Sequence, residues 1–434
     1  MKKIIALILA LIFMLSLVAC NNTETPAPEA PAANGDTTNE ETPVQQKTLK
    51  INGVDISEYK IVYAKNPDAY KYSIVNSSAK GLVKQDTEYD KQTAQNLAAL
   101  IEKNFGAKLS IVTDGKAATD KEIIIGNTAR GLEGQALAAY NAANDKDMCI
   151  QEKNGKLIIV GASYGATWQA AEKFVELCMG MSSNDVNIES GYSFKAKANI
   201  IVVGCIGDSL TFGTKSTKNY ESKVDSGMRS DIVPYPAVLQ RMAWKDMVVY
   251  NYGKGGRTMT ENHCWDDNSD GKLDGDRAWI KTEEHDKCMA NAKNLDLVLI
   301  MLGTNDSSKT RSTAAGYTFE LGGAYEQAFI NSCKNIVNEL KAKNANVRVA
   351  LLNCPIAFSS NIEPTAEGYI RKYQAKAAQQ LGLDLLDMYT YTKNNTQKSD
   401  YPDDLHPTDE GYAKYAEGVY SMITPIVNQM LGKQ

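Results

Sequence analysis

The chain has 434 residues and a nearly balanced charge, with 47 basic and 52 acidic side chains and a net charge of −5 at neutral pH. It contains no basic run or patch of the kind that binds nucleic acid, so we expect no nucleic-acid partner. Eight cysteines are scattered without the spacing of a metal site. The length is sufficient for two domains of ordinary size.

Residues 1–19 have the pattern of an export signal. Lys2 and Lys3 precede an apolar run that ends at Met14, which is too short to cross about 30 Å of hydrocarbon. The run leads to Leu-Val-Ala-Cys at residues 17–20. This ending resembles a bacterial lipoprotein signal, which implies that Cys20 is lipidated and anchors the exported protein to the outer face of a membrane. The alternative is an ordinary cleavage site followed by an unrelated cysteine.

Residues 20–46 are predicted to form the lipidated end and a disordered linker. Positions 21–46 contain four prolines, five acidic residues and no lysine or arginine. Such a composition does not bury enough apolar surface to fold. The folded part of the chain is therefore predicted to begin at residue 47.

Residues 47–197 are predicted to form a small α/β accessory domain. The predicted strands are Lys60–Tyr63, Leu109–Val112, Glu122–Gly126 and Leu157–Gly161, and the predicted helices are Thr93–Phe105 and Thr167–Met179. The run Ile-Ile-Ile-Gly-Asn-Thr at 123–128 resembles the accessory domains that precede the catalytic domain in some glucuronidase-like carbohydrate enzymes.

Residues 198–434 show a second alternation of strands and helices. The predicted strands are Ile200–Cys205, Met247–Asn251, Leu295–Leu302, Val347–Asn353 and Leu383–Asp387, with helices that include Ala324–Lys343 and Ile370–Leu381. The strands are nearly all apolar, as expected when helices cover both faces of a parallel sheet. We therefore expect a three-layer α/β/α domain with its chemistry at the carboxyl ends of the strands.

Four polar motifs follow these strands or lie in the last loop. They are Gly-Asp-Ser at 207–209, Gly-Gly-Arg-Thr at 255–258, Gly-Thr-Asn-Asp at 303–306 and Asp-Asp-Leu-His-Pro at 403–407. Together they resemble the SGNH (GDSL) hydrolase family, whose four named positions correspond to Ser209, Gly256, Asn305 and His406. Gly256 is preferred to Gly253 because it precedes a polar residue and threonine, as in the family. The resemblance implies a flavodoxin-like fold and ester hydrolysis.

The chemistry of these residue types supports a serine hydrolase. His406 is suited to take the proton of Ser209 and to pass it to the leaving alcohol. Asp403 lies three residues before His406, which is near enough to orient the imidazole ring. The backbone N–H groups of Ser209 and Gly256 and the Asn305 amide would meet the oxyanion. We expect that this mechanism requires no cofactor.

The chain contains one rival nucleophile. Ser163 lies in Gly-Ala-Ser-Tyr-Gly at 161–165, after a predicted strand and before a helix, which is formally the nucleophile elbow of α/β-hydrolases. The predicted accessory domain has no histidine, so we expect a glycine-rich turn here instead. His263 and His285 lie in polar segments and are predicted to be surface residues.

An acidic loop offers a second type of site. Asp266, Asn268, Asp270 and Asp274 occupy steps 1, 3, 5 and 9 of a calcium-type loop with glycine at step 6. The segment resembles a dockerin loop but has Arg277 at the closing position, so both a structural Ca²⁺ site and a solvated loop remain open. Cys264 and Cys288 flank this region and are able to form a disulfide, although their sequence does not decide it.

The sequence thus predicts a carbohydrate O-acetylesterase attached to the cell surface. The resemblance is closest to sialate and carbohydrate acetylesterase-type members, and acetylated carbohydrates or other small esters are the expected substrates. A lipase or thioesterase for longer acyl chains is an alternative. A surface lipoprotein that binds glycans without catalysis is another, and an intact set of catalytic residues argues against it.

Overall fold

The computed structural model describes residues 46–65, 87–131, 136, 144–214, 234–265 and 275–433. The predicted signal, Cys20 and the linker up to residue 45 lie outside the described residues. The same is true of the calcium-loop residues Asp266, Asn268, Asp270 and Asp274. The described part of the chain contains no helix that is long and apolar enough to cross a membrane.

The region before residue 198 contains two sheets. A three-stranded sheet has the order β2-β1-β8, and a six-stranded mixed sheet has the order β4-β3-β5-β7-β6-β9. Their strands are β1 Thr48–Ile51, β2 Val54–Asp55, β3 Lys60–Tyr63, β4 Ser110–Thr113, β5 Glu122–Ile125, β6 Asp147–Lys153, β7 Lys156–Gly161, β8 Asp185–Ile188 and β9 Ser193–Lys197.

The region after residue 198 contains one five-stranded sheet of order β11-β10-β12-β13-β14, in which every neighbouring pair is parallel. Its strands are β10 Ile201–Gly207, β11 Met247–Gly253, β12 Leu297–Met301, β13 Arg348–Leu352 and β14 Asp384–Leu386. This is the flavodoxin-like order, and its crevice lies beyond the carboxyl end of the first strand, β10.

The helices lie between these strands and after β14. The described α-helices are Thr87–Phe105, Tyr164–Gly180, Ser209–Phe212, Tyr235–Met242, Glu283–Asn291, Lys309–Ala314, Ala324–Lys343, Glu363–Thr365, Arg371–Leu381, Met388–Asn395 and Asp409–Leu431. A π-helical turn at Ala366–Ile370 joins two of them, and short 3₁₀ turns lie at Ile56–Glu58, Trp279–Lys281, Ala292–Asn294 and Lys398–Asp400.

The five-stranded sheet is covered on both faces, which confirms the predicted three-layer architecture. All seven residues of β10 are buried. Val202 and Ile206 pack into one apolar cluster, while Val203 and Cys205 pack into another on the opposite face. Alternate residues of a strand point to opposite faces, so helices on both sides exclude water from this strand.

The strands that sequence patterns missed are those with charged or mixed residues. The helix at Ala324–Lys343 has the predicted bounds, whereas β10 extends two residues further than predicted, to Gly207.

The sequence did not predict β6, because Asp147 and Glu152 interrupt its apolar pattern. Both acids are buried, and Glu152 accepts hydrogen bonds from the backbone N–H groups of Gly155 and Gly191.

The described residues from Gln46 onward form one compact unit. Contacts cross the predicted boundary at 197/198: Lys146 pairs with Asp296 at 2.7 Å, and the Tyr250 hydroxyl donates to the buried Asp145 carboxylate at 2.8 Å. Burial raises the pKa of Asp145 to about 6, although the Tyr250 hydrogen bond opposes that rise. The division into two domains stays a prediction.

Gly253 permits the close approach of β11 to the short helix that begins at Ser209. A Cβ atom at Gly253 would lie 2.3 Å from Phe212 N and 2.7 Å from Thr211 C. We therefore expect Gly253→Ala to lower the free energy of unfolding by about 1–3 kcal/mol, as measured by urea denaturation. Gly255→Ala is the matched control, because its Cβ would meet nothing within 4 Å. Equal stability of the two variants would contradict this packing constraint.

Candidate active site

Ser209 lies where β10 turns sharply into a helix. Asp208 caps this helix through its Oδ1 atom, which accepts a hydrogen bond from Leu210 N at 3.0 Å. A Cβ atom at Gly207 would lie 1.9 Å from Thr211 Oγ1, so glycine is needed for the helix to fold back so closely. The turn leaves Ser209 with 7% of its surface exposed, at the carboxyl edge of the sheet.

Ser209, His406 and Asp403 form a continuous hydrogen-bonded chain. His406 Nε2 lies 2.9 Å from Ser209 Oγ, and His406 Nδ1 lies 2.8 Å from Asp403 Oδ2. A carboxylate only accepts hydrogen bonds, so Nδ1 carries the ring proton and Nε2 is left to accept from the serine hydroxyl. The structure therefore brings together the three residues that the sequence predicted to be catalytic, and their catalytic roles stay a prediction.

Asp403 is held as an anion. Partial burial alone would raise its pKa, but the hydrogen bonds from the His406 ring and backbone outweigh burial and lower the pKa of Asp403 to about 2. Asp403 Oδ1 accepts from the backbone N–H groups of His406 at 2.7 Å and Leu405 at 3.0 Å. The same carboxylate therefore shapes the loop and orients the ring.

The loop of His406 is anchored to the last helix. Thr408 caps that helix by accepting from Gly411 N at 3.2 Å, and its own N–H donates to Asp400 O at 2.8 Å. Lys414 on the helix pairs with the buried Asp400 carboxylate at 2.7 Å. These contacts hold His406 against a serine that is 197 positions away in the chain.

Asn305 and the loop of Gly256 lie against each other. Asn305 Nδ2 donates to Arg257 O at 3.0 Å, and Gly256 has a φ of +69°. The N–H of Gly253 is occupied by Asn251 Oδ1 and that of Lys254 by Gly207 O. Among the described residues, by contrast, the N–H of Gly256 has no acceptor, which fits the predicted choice of Gly256 over Gly253 as an oxyanion donor.

Asp306 is a positioning residue that the sequence analysis did not single out. It is fully buried, and its two carboxylate oxygens accept from Met259 N at 2.8 Å and Thr260 N at 3.0 Å. Asp306 thus fixes the loop that carries Gly256, directly beside Asn305 in the chain. The available signal was an acidic residue directly after Asn305, in the loop that follows the apolar strand β12.

Asp208 was quoted in the sequence motif but given no role. It is fully buried, and burial raises its pKa to about 7 despite the hydrogen bond from Leu210 N–H. Its Oδ2 atom has no hydrogen-bond partner within the described residues. The carboxyl group therefore acts here as a helix cap beneath Ser209, away from solvent.

The prediction that His263 is a surface residue is wrong. His263 is fully buried, and its Nδ1 accepts from Trp265 Nε1 at 2.8 Å, which leaves Nε2–H to donate to Ser312 Oγ at 3.0 Å. Polar neighbours in the sequence misled the prediction, because a hydrogen-bonded histidine is compatible with a core. His285 is partly buried, with its Nε2 atom 2.7 Å from Glu339 Oε2.

Ser163 is not joined to the hydrogen-bonded chain of Ser209. It is 2% exposed and caps the helix Tyr164–Gly180, accepting from Ala166 N at 3.2 Å and donating to Asp145 O at 2.8 Å. This is the turn that the sequence favoured over a nucleophile elbow. Cys264 and Cys288 are both free thiols.

A cleft of about 390 Å³ opens beside the hydrogen-bonded chain. Its lining combines hydroxyl, amide, charged and a few apolar side chains: Ser308, Thr310, Arg311, Ser359, Asn361, Ile362, Asp403, Leu405 and His406. Over the part of the chain that the structure describes, no group of three or more His, Cys, Asp or Glu side chains is placed to hold a metal ion.

Residues 205–414 match the family model described as GDSL-like Lipase/Acylhydrolase family. This domain is a GDSL-type hydrolase. The match includes both Ser209 and His406, and membership of this family identifies the protein as a carboxylic ester hydrolase. No curated protein matches the chain.

Solved structures with a similar fold include three bacterial esterases. A carbohydrate acetylesterase family member from Sinorhizobium meliloti is 20% identical, with 54% of this chain and 100% of that chain covered at a TM-score of 0.37. A putative arylesterase from Agrobacterium tumefaciens is 22% identical, with 52% and 100% covered at a TM-score of 0.36. The aryl esterase of M. smegmatis is 17% identical, with 52% and 99% covered at 0.38.

Asp403→Asn tests the orientation of His406. The amide would favour the wrong imidazole tautomer, so kcat for p-nitrophenyl acetate is expected to fall by a factor on the order of 100 to 10,000. Asp404→Asn is the matched control: Asp404 has a φ of +66°, which asparagine also adopts, and pairs only with the exposed Lys398. An Asp404→Asn variant as impaired as Asp403→Asn would contradict the role of Asp403.

Proposed function

We propose that this enzyme removes O-acetyl groups from carbohydrates at the cell surface through an acyl-Ser209 intermediate. The single observation that carries the proposal is the polarity of the cleft beside His406. Three hydroxyl side chains and one amide line it, whereas Ile362 and Leu405 are its only aliphatic residues among those described. A sugar alcohol offers hydroxyl groups to such a lining, but a long acyl chain would bury its apolar surface against polar groups.

The polar side of the cleft is internally braced. Asn361 Nδ2 donates to Ser308 Oγ at 3.0 Å, and Asn361 Oδ1 accepts from Thr310 Oγ1 at 3.0 Å. The backbone N–H of Lys309 donates to Asn361 O at 3.1 Å. Because these bonds hold two loops together before substrate arrives, less conformational entropy is lost on binding.

The proposed reaction is a double displacement. His406 Nε2 takes the proton of Ser209 as Oγ attacks the acetyl carbonyl, and Asp403 stabilises the imidazolium that forms. The tetrahedral oxyanion receives hydrogen bonds from the N–H groups of Ser209 and Gly256 and from Asn305. His406 then gives this proton to the leaving sugar oxygen as its bond to the acetyl carbon breaks, and the same ring activates a water that releases acetate.

The proposed location rests on the sequence of residues 1–20 alone. An export signal followed by Cys20, lipidated as in bacterial lipoproteins, would leave the hydrolase domain outside the cell on its linker. An enzyme at this location would meet O-acetylated carbohydrates of the cell surface, which agrees with its polar cleft.

Substrate chain length tests the proposed function. Wild-type kcat/KM for p-nitrophenyl esters is expected to be highest for acetate and to fall steadily toward octanoate, with acetate also released from acetylated xylan. Ser209→Ala is expected to abolish both activities, because the nucleophile is lost. Ser163→Ala is the control: it should lose about 1 kcal/mol of stability with its helix cap and keep its activity.

Each contrary outcome contradicts a different part of the proposed function. A preference for octanoate would indicate a lipase or thioesterase, and activity that survives Ser209→Ala would remove the proposed nucleophile. Binding of glycans without release of acetate or p-nitrophenol would indicate a non-catalytic surface protein.

Asn305→Ala tests the oxyanion site. Removal of one donor to the oxyanion is expected to lower kcat by about 100- to 1000-fold, with a much smaller change in KM because the charge develops only in the transition state. Steady-state kinetics with p-nitrophenyl acetate measures both. A rise in KM with an unchanged kcat would mean that Asn305 only binds substrate.

A further inference from the structure

Arg311 is exposed in the same cleft as His406 and Asp403. It lies on the short helix Lys309–Ala314, directly after Thr310, whose hydroxyl is part of the braced polar side. Catalysis by Ser209 makes no use of a guanidinium group at this place. The position of Arg311 therefore suggests a role in recognising substrate.

Arg311 has no acidic partner among the described residues. Its guanidinium instead forms a cation–π contact with the ring of Trp265, whose centroid lies 4.0 Å from the guanidinium carbon. Asp403, the carboxylate that shares the cleft, is instead bonded to His406 and Leu405. A cation that faces a cleft and forms no ion pair among the described residues attracts anions.

The Trp265 ring that supports Arg311 is itself buried and hydrogen-bonded. It is 4% exposed, and its Nε1 atom donates to the buried His263 at 2.8 Å. The ring also lies beside Gly256, where a Cβ atom would be 3.5 Å from Trp265 Cζ3. One buried ring thus contacts Arg311 and lies beside the loop of the proposed oxyanion donor. Arg311 lines the cleft together with His406, so a substrate that occupies this cleft meets the guanidinium.

The charges of the cleft favour a monoanion. Asp403, with a pKa of about 2, is negative at neutral pH, and Arg311 is always positive. A carboxylate matches the guanidinium in a two-point hydrogen-bonded pair. A dianionic phosphate would leave one negative charge unbalanced beside Asp403.

We propose that Arg311 binds a carboxylate on the alcohol part of the ester, so that the preferred substrates are O-acetylated acidic sugars. The proposal rests on the proposed function and narrows its substrate class. The hydroxyl side chains of the cleft meet the sugar hydroxyls, while Arg311 selects the sugars that carry a carboxylate.

Paired substrates test the proposal. The two substrates are methyl glucuronoside and methyl glucoside, each with one acetyl group at the same position. They differ only at C6, which is a carboxylate in the first sugar and a hydroxymethyl group in the second. Wild-type kcat/KM is expected to favour the uronoside about 10-fold or more, as for a charge-assisted hydrogen bond. Arg311→Gln is expected to reduce this ratio to within about twofold of one, and Arg311→Lys to restore part of it because the charge returns without the planar fork.

Lys309→Gln is the matched control. It removes a positive charge two residues away, from an exposed side chain that does not line the cleft, and should keep the full uronoside preference. A similar loss of preference in both variants would show a long-range charge effect and overturn the role of Arg311. Equal wild-type rates on the two sugars would overturn it as well.

Inhibition separates this proposal from the proposed function. If p-nitrophenyl acetate is cleaved and neither acetylated sugar is, the proposed carbohydrate esterase activity fails. Inhibition of p-nitrophenyl acetate cleavage by unacetylated methyl glucuronoside, methyl glucoside and methyl glucoside 6-phosphate then decides the role of Arg311. Strongest inhibition by the uronoside, lost in Arg311→Gln, supports the carboxylate site. Equal inhibition by all three, or strongest inhibition by the phosphate, overturns it.

Discussion

The site depends on the position of β10 inside its sheet. β10 has parallel neighbours on both sides, β11 and β12, so the loops that follow all three strands leave the sheet at one edge. Ser209 follows β10, Gly256 follows β11 and Asn305 follows β12. The last loop then has only to supply His406, and the capped helix after it fixes that loop.

Buried carboxylates keep this edge rigid. Asp306 uses both of its oxygens on backbone N–H groups of the Gly256 loop, and Asp208 caps the helix of Ser209. In each case a short side chain replaces the water that a strand-end loop would otherwise bind. Donors fixed in this way need no reorganisation when charge develops on the substrate, which is the condition for strong stabilisation of a transition state.

The sequence predicted what depends on apolar periodicity and on local spacing. The strands β10 to β14 lie in mainly apolar runs, and Asp403 lies three residues before His406. Both features could therefore be predicted without a structure. β6 and the burial of His263 could not, because each depends on partners distant in the chain: Glu152 is satisfied by Gly191 N–H, and His263 by Ser312. Polar residues that find such partners look like surface residues in the sequence. The role of Asp306 could not be predicted for the same reason, because its carboxylate accepts hydrogen bonds from Met259 and Thr260, which are distant in the chain.

Catalysis and substrate selection share one segment of the chain. The loop after β11 carries Gly256, and nine residues later it carries Trp265, which contacts Arg311 and lies beside Gly256. The buried His263 accepts a hydrogen bond from the Trp265 ring. A change that tilts this ring would therefore move the guanidinium and the oxyanion loop together. In the proposed mechanism, the loop of Gly256 is needed to bind the oxyanion. Because Trp265 lies on the same loop, it supports Arg311 without a change in the residues that carry out the chemistry.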